Sequence, residues 1–299
     1  MDIATIITYL KDLFATVMVL LTMIFPVSGT TGAAFEAKKP DELIANFAVV
    51  SDIHVETNNP ASYENLYNLL GGIKAGGVDA VIYTGDNVMN GQDLENFFFY
   101  TAVKAMKPAK YNYVLAGNHD LGNTEGDYNE LLGNYLQNNK IFFGEDLGKG
   151  YYYRVVNGCY IIALVSEDPT TWEFVISEEQ FEWLEGVLQE AAAADAPIFV
   201  FNHFPIFYGG EPGGRLATLL NKYGADLFVY GHYHNDMGAD NFGQWNGVNI
   251  INLPRATEIT EYEGGDGIVI EVYEDEILVR ARNFITGEWI EDLVYTYEY

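Results

Sequence analysis

Five short runs rich in β-branched and aromatic residues each end in Asp, Asn or His, and this repetition constrains the fold more than any other feature. Residues 46–51 lead into Asp52-Ile53-His54, residues 80–84 into Gly85-Asp86-Asn87, and residues 113–116 into Gly117-Asn118-His119-Asp120. Residues 197–201 lead into Asn202-His203, and residues 226–230 into Gly231-His232-Tyr233-His234. All five histidines of the chain fall in these clusters. Open α/β sheets bind ligands at the carboxyl ends of their strands, so the pattern predicts one mouth lined by imidazoles, carboxylates and an amide. Gly117 permits the sharp turn that would present Asn118, His119 and Asp120 together.

The intervening stretches read as helices. A buried stripe at Leu66, Leu69, Leu70 and Ile73 predicts a helix capped by Ser62, running to about residue 75 and stopped by Gly76-Gly77. A second is expected over 93–107, ended by Pro108, with residues 97–100 packing into the core. Strand, helix, strand, helix, strand is the grammar of a parallel sheet. The second half adds antiparallel pieces: Asn157-Gly158 between residues 151–156 and 159–165 is a hairpin signal. Ser177 with Gln180 predicts a capping box for a helix to about residue 194, and 214–223 reads as another helix. Residues 248–253, 268–273, 277–283 and 288–297 are expected strands.

Composition bounds the function. Apolar residues make up 49% of the chain and aromatics 15%, ample for a packed core. The net charge is −28, and residues 1–35 contribute only Asp2, Lys11 and Asp12 to it. A field of that sign repels bulk nucleic acid, which is not an expected partner. The single cysteine, Cys159, excludes an intrachain disulfide and is expected in the core.

The amino terminus stands apart. No charge occurs from residue 13 to 35, and an apolar core at 17–25 is closed by Pro26. Its length suits a signal-peptide core, whereas its acidic start and helical apolar spacing suit an uncleaved amphipathic or membrane-seated helix. The expected division is a hydrophobic segment over 1–27, a linker over 28–42 and one catalytic domain over 43–299. Export or membrane anchoring, with membrane contact through this segment, is expected; the alternative is a cytoplasmic protein whose first helix packs on the domain or mediates self-association.

In this order, Asp-x-His, Gly-Asp, Gly-Asn-His-Asp, Asn-His and Gly-His-x-His resemble the calcineurin-like metallophosphoesterase superfamily. The resemblance implies a four-layer α/β/β/α sandwich of two mixed β-sheets flanked by helices. It implies two divalent ions, manganese, iron or zinc, with Asp52, His54, Asp86 and His234 on one and Asp86, Asn118, His203 and His232 on the other. The reaction expected is hydrolysis of small phosphoesters by a metal-held hydroxide, phosphodiesters slightly ahead of phosphomonoesters. His119, outside the ligand set, would assist the leaving group, with Asp120 orienting it. Purple acid phosphatases carry a ligating Tyr three residues after the bridging Asp; here that residue is Met89, so no tyrosinate-bound iron is expected. The Asp of Gly-Asn-His-Asp is closer to cyclic-nucleotide phosphodiesterases and related bacterial groups than to nucleotidases.

Arg215, in a Gly-rich run from Tyr208 that follows His203, and Arg255 are candidate substrate contacts, and Trp172 and residues 151–153 are candidate ring platforms, with core packing the expectation for most of them. The rival readings are a noncatalytic metal-bound scaffold and a component of a membrane-surface assembly.

Overall fold

The computed structural model describes residues 34–122, 127–168, 174–257 and 264–298. The hydrophobic segment expected over 1–27, the first part of the expected linker, and Trp172 lie outside the described residues. Among the described residues, no helix is long and apolar enough to cross a membrane.

The first half follows the alternating grammar: β1 (Ala45–Val50), α1 (Pro60–Gly76), β2 (Ala80–Tyr83), α2 (Asp93–Met106) and β3 (Tyr111–Val114). β1, β2 and β3 are parallel, and β1 and β2 are buried along their whole length, as continuous apolar runs between two layers should be. The α1 stripe of Leu66, Leu69, Leu70 and Ile73 is buried as its spacing predicts, and Gly77 ends the helix with φ 77°. The cap differs from the expectation. Pro60 opens the helix, so Asn59, one residue earlier, accepts the Ala61 N–H at 3.2 Å, and Ser62 is turned inward to donate to the Asn59 carbonyl.

Next come α3 (Tyr128–Phe143), β4 (Tyr152–Val156), β5 (Cys159–Ala163), α4 (Glu178–Ala193), β6 (Ile198–Phe201), α5 (Gly210–Lys222) and β7 (Leu227–Tyr230). The hairpin turn at Asn157 (φ 50°) and Gly158 (φ 86°) has two consecutive left-handed residues, which matches the twist of β4 and β5. The cap of α4 is half a capping box. Ser177 accepts from the Gln180 N–H, but the Gln180 amide bonds both backbone groups of Val165 instead of returning to Ser177. The Gly-rich run is a further correction: its glycines begin α5 at Gly210, so there is no open loop from 210 to 215.

The chain closes with β8 (Phe242–Trp245), β9 (Val248–Asn252), β10 (Asp266–Val272), β11 (Glu276–Asn283) and β12 (Trp289–Glu298). One six-stranded sheet runs β12-β11-β10-β1-β2-β3, the other β4-β5-β6-β7-β9-β8. Both are mixed. Period-two alternation splits the second sheet between two cores: Phe199, Phe201, Leu227 and Val229 face the first sheet, with Phe47 and Phe199 ring centroids 6.0 Å apart, while Ile198, Val200, Phe228 and Tyr230 face α4 and α5. Helices α1, α2 and α3 cover the first sheet, giving the four-layer sandwich. Cys159 is buried at the sheet interface.

The expected linker is packed where the structure describes it. The Phe35 ring lies 5.5 Å from that of Trp289 and its N–H bonds the Gly76 carbonyl at 3.1 Å. Lys38 N–H donates to Glu271, which also pairs with Arg280 at 2.8 Å, and Arg280 donates to the Glu36 carbonyl. Arg280 stacks on Trp289 at 3.4 Å. A buried ion pair, each partner of which also bonds the backbone of this segment, thus fixes residues 35–39 on the sheet.

Candidate metal centre

The parallel strands of both sheets end at one rim, stitched by backbone contacts. Asp52 N–H bonds the Gly85 carbonyl at 3.1 Å, His54 N–H the Asp86 carbonyl at 3.0 Å, and Gly231 N–H the His203 carbonyl at 3.1 Å. Just past these strands the chain turns sharply. Asp52, His54, Asp86, His232 and His234 all have φ between 49° and 77°, a left-handed conformation uncommon outside glycine. Such backbone persists only where its surroundings over-determine it, and it concentrates at functional sites.

Two glycines make room. A methyl group on Gly117 would lie 2.2 Å from Asp86 Oδ1 and 2.8 Å from His203 Cγ, and one on Gly231 would lie 2.3 Å from Asp52 Oδ2. The Gly in each motif is therefore a spacing requirement of the carboxylate behind it.

Two groups of donor atoms result, each with its atoms within 4.8 Å of one another: Asp52, His54, Asp86 and His234, and Asp86, His203 and His232. Asp86 belongs to both. Asn118 Oδ1 lies 3.1 Å from His232 Nδ1, at the edge of the second group. Within the first, His234 Nε2 is 2.9 Å from Asp52 Oδ1 and 3.0 Å from His54 Nε2; within the second, His203 Nε2 is 3.0 Å from Asp86 Oδ2. Asp52, His54, Asp86, Asn118 and His203 are buried, and only His232 and His234 reach solvent appreciably.

The electrostatics are those of a cation site. Burial pushes the carboxyl of Asp86 up, but the neighbouring His203 and His54 outweigh it and hold it at about 2; Asp52 is lowered in the same way by His203, His234 and His54. Burial disfavours a charged His203, yet the Asp86 and Asp52 carboxylates raise it to about 9. Burial and the charge of His203 lower His232 to about 4. His203 directs Nδ1–H at the Thr84 carbonyl, 3.2 Å away, which leaves Nε2 to face Asp86. Buried carboxylates and imidazole lone pairs aimed at one another fit a pair of divalent ions, and the all-nitrogen and oxygen donor set suits borderline metals.

His119 sits against this centre. Its ring is edge-on to His54 at 4.8 Å, and its N–H donates to Asp86 Oδ1 at 2.8 Å. The expected partner is wrong, however. His119 Nδ1 lies 2.6 Å from the Met89 carbonyl, whereas Asp120 is buried in the opposite direction, accepting the N–H groups of Gly117, Asn87 and Val88 and the Asn87 amide. A carboxylate enclosed by backbone donors has no free edge for the imidazole. Asp120 instead locks the turn after β2 to the turn after β3.

Of the candidate substrate contacts, Arg215 is not brought to the site. It pairs with Glu178 and stacks on Phe181 at 4.1 Å, on the outer helical layer. Arg255 does lie at the rim, its backbone bridged to that of Ser51 beside Asp52. Sequence reasoning missed the backbone carbonyls of Met89 and Thr84, which orient two histidines without any side-chain signal. Of the run from Tyr208 to Arg215, it is Tyr208 that comes to the site, its ring 5.7 Å from that of His232.

A family model described as calcineurin-like phosphoesterase matches residues 45–236. Among solved structures, a dimetal phosphatase from Danio rerio is similar at a TM-score of 0.61 and 16% identity, over 86% of this chain and 99% of that one. The purple acid phosphatase PPD1 from yellow lupin (Lupinus luteus) seeds is similar at 0.59 and 18% identity, over 85% of this chain and 53% of that one. GAP50, the anchor in the inner membrane complex of Plasmodium, is similar at 0.52 and 17% identity, over 85% and 88% of the two chains. At such identities these likenesses speak to the fold alone. No curated protein matches the sequence.

Proposed function

The chain belongs to the calcineurin-like phosphoesterase family, and we propose that it hydrolyses small phosphoesters, diesters ahead of monoesters, at a pair of divalent ions. The observation that carries this reading is the sharing of Asp86 between the two donor groups. Asp86 Oδ2 lies 3.0 Å from His203 Nε2 and 3.8 Å from His54 Nε2, so one carboxylate faces both groups, as a bridged binuclear site needs. Asp52, His54 and His234 would hold one ion beside Asp86, and Asn118, His203 and His232 the other. Two ions there would supply Lewis-acid activation of water and of the phosphoryl group.

The chain's own residues do the rest. The buried ligands exclude bulk water from the floor of the site, which strengthens every charge interaction there. His119, whose Nδ1–H donates to the Met89 carbonyl, has Nε2 left to face the departing alkoxide and, in its imidazolium form, to give it the Nε2 proton. The preference for diesters rests on a shortage of cations. Lys140, Lys149, Arg154, Arg215, Lys222 and Arg280 are paired with carboxylates on other faces, and of the described basic residues only Arg255 lies on a strand-end loop at the site. A phosphodiester brings one negative charge, whereas a phosphomonoester brings up to two and calls for further cationic contacts.

The test is turnover of bis(p-nitrophenyl) phosphate beside p-nitrophenyl phosphate by the manganese-loaded full chain. A higher kcat/KM on the diester is expected. A monoester preference would reverse the substrate order and make Arg255 the leading contact, and turnover of neither with both ions bound would overturn the enzymatic reading.

A further inference from the structure

The end of the molecule opposite the metal centre carries a feature that hydrolysis does not use. Lys104, Lys107 and Lys110 surround an open cavity of about 720 Å³ whose walls include Tyr111, Tyr113, Phe142 and Phe143. Lys104 lies 5.9 Å over the Phe142 ring and Lys110 4.6 Å over the Tyr111 ring. The nearby acids are already engaged: Glu145 by Arg154, Asp146 by Lys140 at 3.3 Å, and Asp79, the acid that acts on Lys110, by the Asn46 N–H and the Asn157 amide. Lys74 adds a fourth cation by reaching across from α1 to the Met106 carbonyl at the end of α2. Four of the fifteen basic residues of a chain with net charge −28 are therefore gathered at one corner. Lysines are favoured at helix C-termini, which accounts for single positions. It does not account for their ring around exposed aromatic surface, or for the exposure of Ile141 (47%) and Tyr111 (37%) beside them.

The described chain begins one helix away, against Trp289 of β12 at the other edge of the sheet from β3. Phe35 is bonded to Gly76 at the C-terminal end of α1, whose Lys74 touches the end of α2. The residues before it are uncharged back to Leu13 and largely apolar. An uncharged, largely apolar sequence thus joins the domain at the end of α1 whose Lys74 borders this cationic, aromatic face. The other half of the same end is acidic, with Asp195, Asp226, Glu274 and Glu298 around a cavity of about 530 Å³.

We infer that the corner formed by the ends of α1, α2 and α3 and the start of β3 rests on an anionic lipid bilayer, leaving the metal centre facing away from it. Lysines near an anionic surface attract it within about a Debye length, ~8 Å at physiological ionic strength, so the local patch outweighs the distant negative field. Half-buried Tyr and Phe rings suit the headgroup level. The acidic half is repelled, which tilts the domain toward the α2 side. None of this depends on the reaction proposed above.

The experiment is co-sedimentation of the full chain with vesicles of phosphatidylcholine alone or mixed with phosphatidylglycerol, at low and high salt. Tighter, salt-sensitive binding to the mixed vesicles is expected. The triple variant K104Q/K107Q/K110Q should lose that preference, by roughly two orders of magnitude at about fivefold per lysine, with its melting temperature and manganese-dependent turnover unchanged. A fluorophore on Ile141→Cys should shift to the blue on mixed vesicles, and one on Asn235→Cys, at the metal rim, should not. Equal binding to both compositions, no binding to either, a preference retained by the triple variant, or a shift at residue 235 instead of 141 would each overturn the inference.

Discussion

The carbonyl of Met89 accepts from His119 and so decides which imidazole nitrogen can act, while Asp120, one residue on, holds two turns together from within. Substitutions at the two positions should therefore fail differently. His119→Ala is expected to keep both metal ions and to lose about 10²–10⁴ in kcat/KM on an alkyl diester, with a much smaller loss on an aryl ester that departs unaided. Equal losses on both would remove the leaving-group role. Asp120→Ala should leave several buried N–H groups without an acceptor and lower unfolding stability by on the order of 3 kcal/mol, seen as a lower urea midpoint with metal loss following it. The ligand positions were legible in the sequence because Asp, Asn and His at strand ends are side-chain signals. The Met89 and Thr84 carbonyls were not, since any residue type supplies a carbonyl, and Asp120 was assigned to its neighbour because adjacency in sequence says nothing of which way a buried carboxylate turns.

At the scale of elements, the strap of residues 35–39 behaves as part of the first sheet. Its backbone supplies partners to Glu271 and Arg280, and the Phe35 ring packs against that of Trp289. A chain starting at residue 43 should be less stable than one starting at residue 34 by about 3 kcal/mol, because a buried ion pair loses the Lys38 N–H and the Glu36 carbonyl as partners. Urea midpoints of the two chains measure it, and coincident curves would show the strap to be only laid on the surface. Most strands and α1, α2 and α4 could be read from periodicity. Helix α3 was not read, although Tyr128, Leu132, Tyr135, Leu136, Phe142 and Phe143 recur at helical spacing and pack on the core; Asn138 and Asn139 interrupt that stripe at buried positions. Asn139 finds its partners in Tyr100 and the Tyr135 carbonyl, a tertiary fit that no hydropathy pattern announces. The early start of α5 was hidden by glycines that favour loops; Gly213 is there because a methyl group would meet the Ile206 carbonyl at 2.1 Å.

For the whole molecule, proton and metal compete at the junction of the sheets. His203 titrates near 9 in the metal-free protein, raised by Asp86 and Asp52 from an ordinary value of 6.5. A raised imidazole contributes stability that is complete below about 6.5 and lost as the pH climbs through 9, so the metal-free chain should grow less stable over that window. The metal-loaded chain should instead hold level over that window, since an ion must displace that proton, its apparent affinity rises about tenfold per pH unit up to 9, and this gain offsets the loss. Thermal melts with and without manganese across this range would show the two slopes, and parallel curves would remove His203 from the coupling. The donor groups draw on both sheets: Asp52, His54, Asp86 and Asn118 follow strands of the first, His203, His232 and His234 those of the second. On the ribosome the first four emerge well before the last three, and β10, the antiparallel neighbour of β1, emerges later still. A nascent chain therefore carries half a chelate through most of its synthesis, and acquisition of its metals marks the moment at which the two halves of the polypeptide have met.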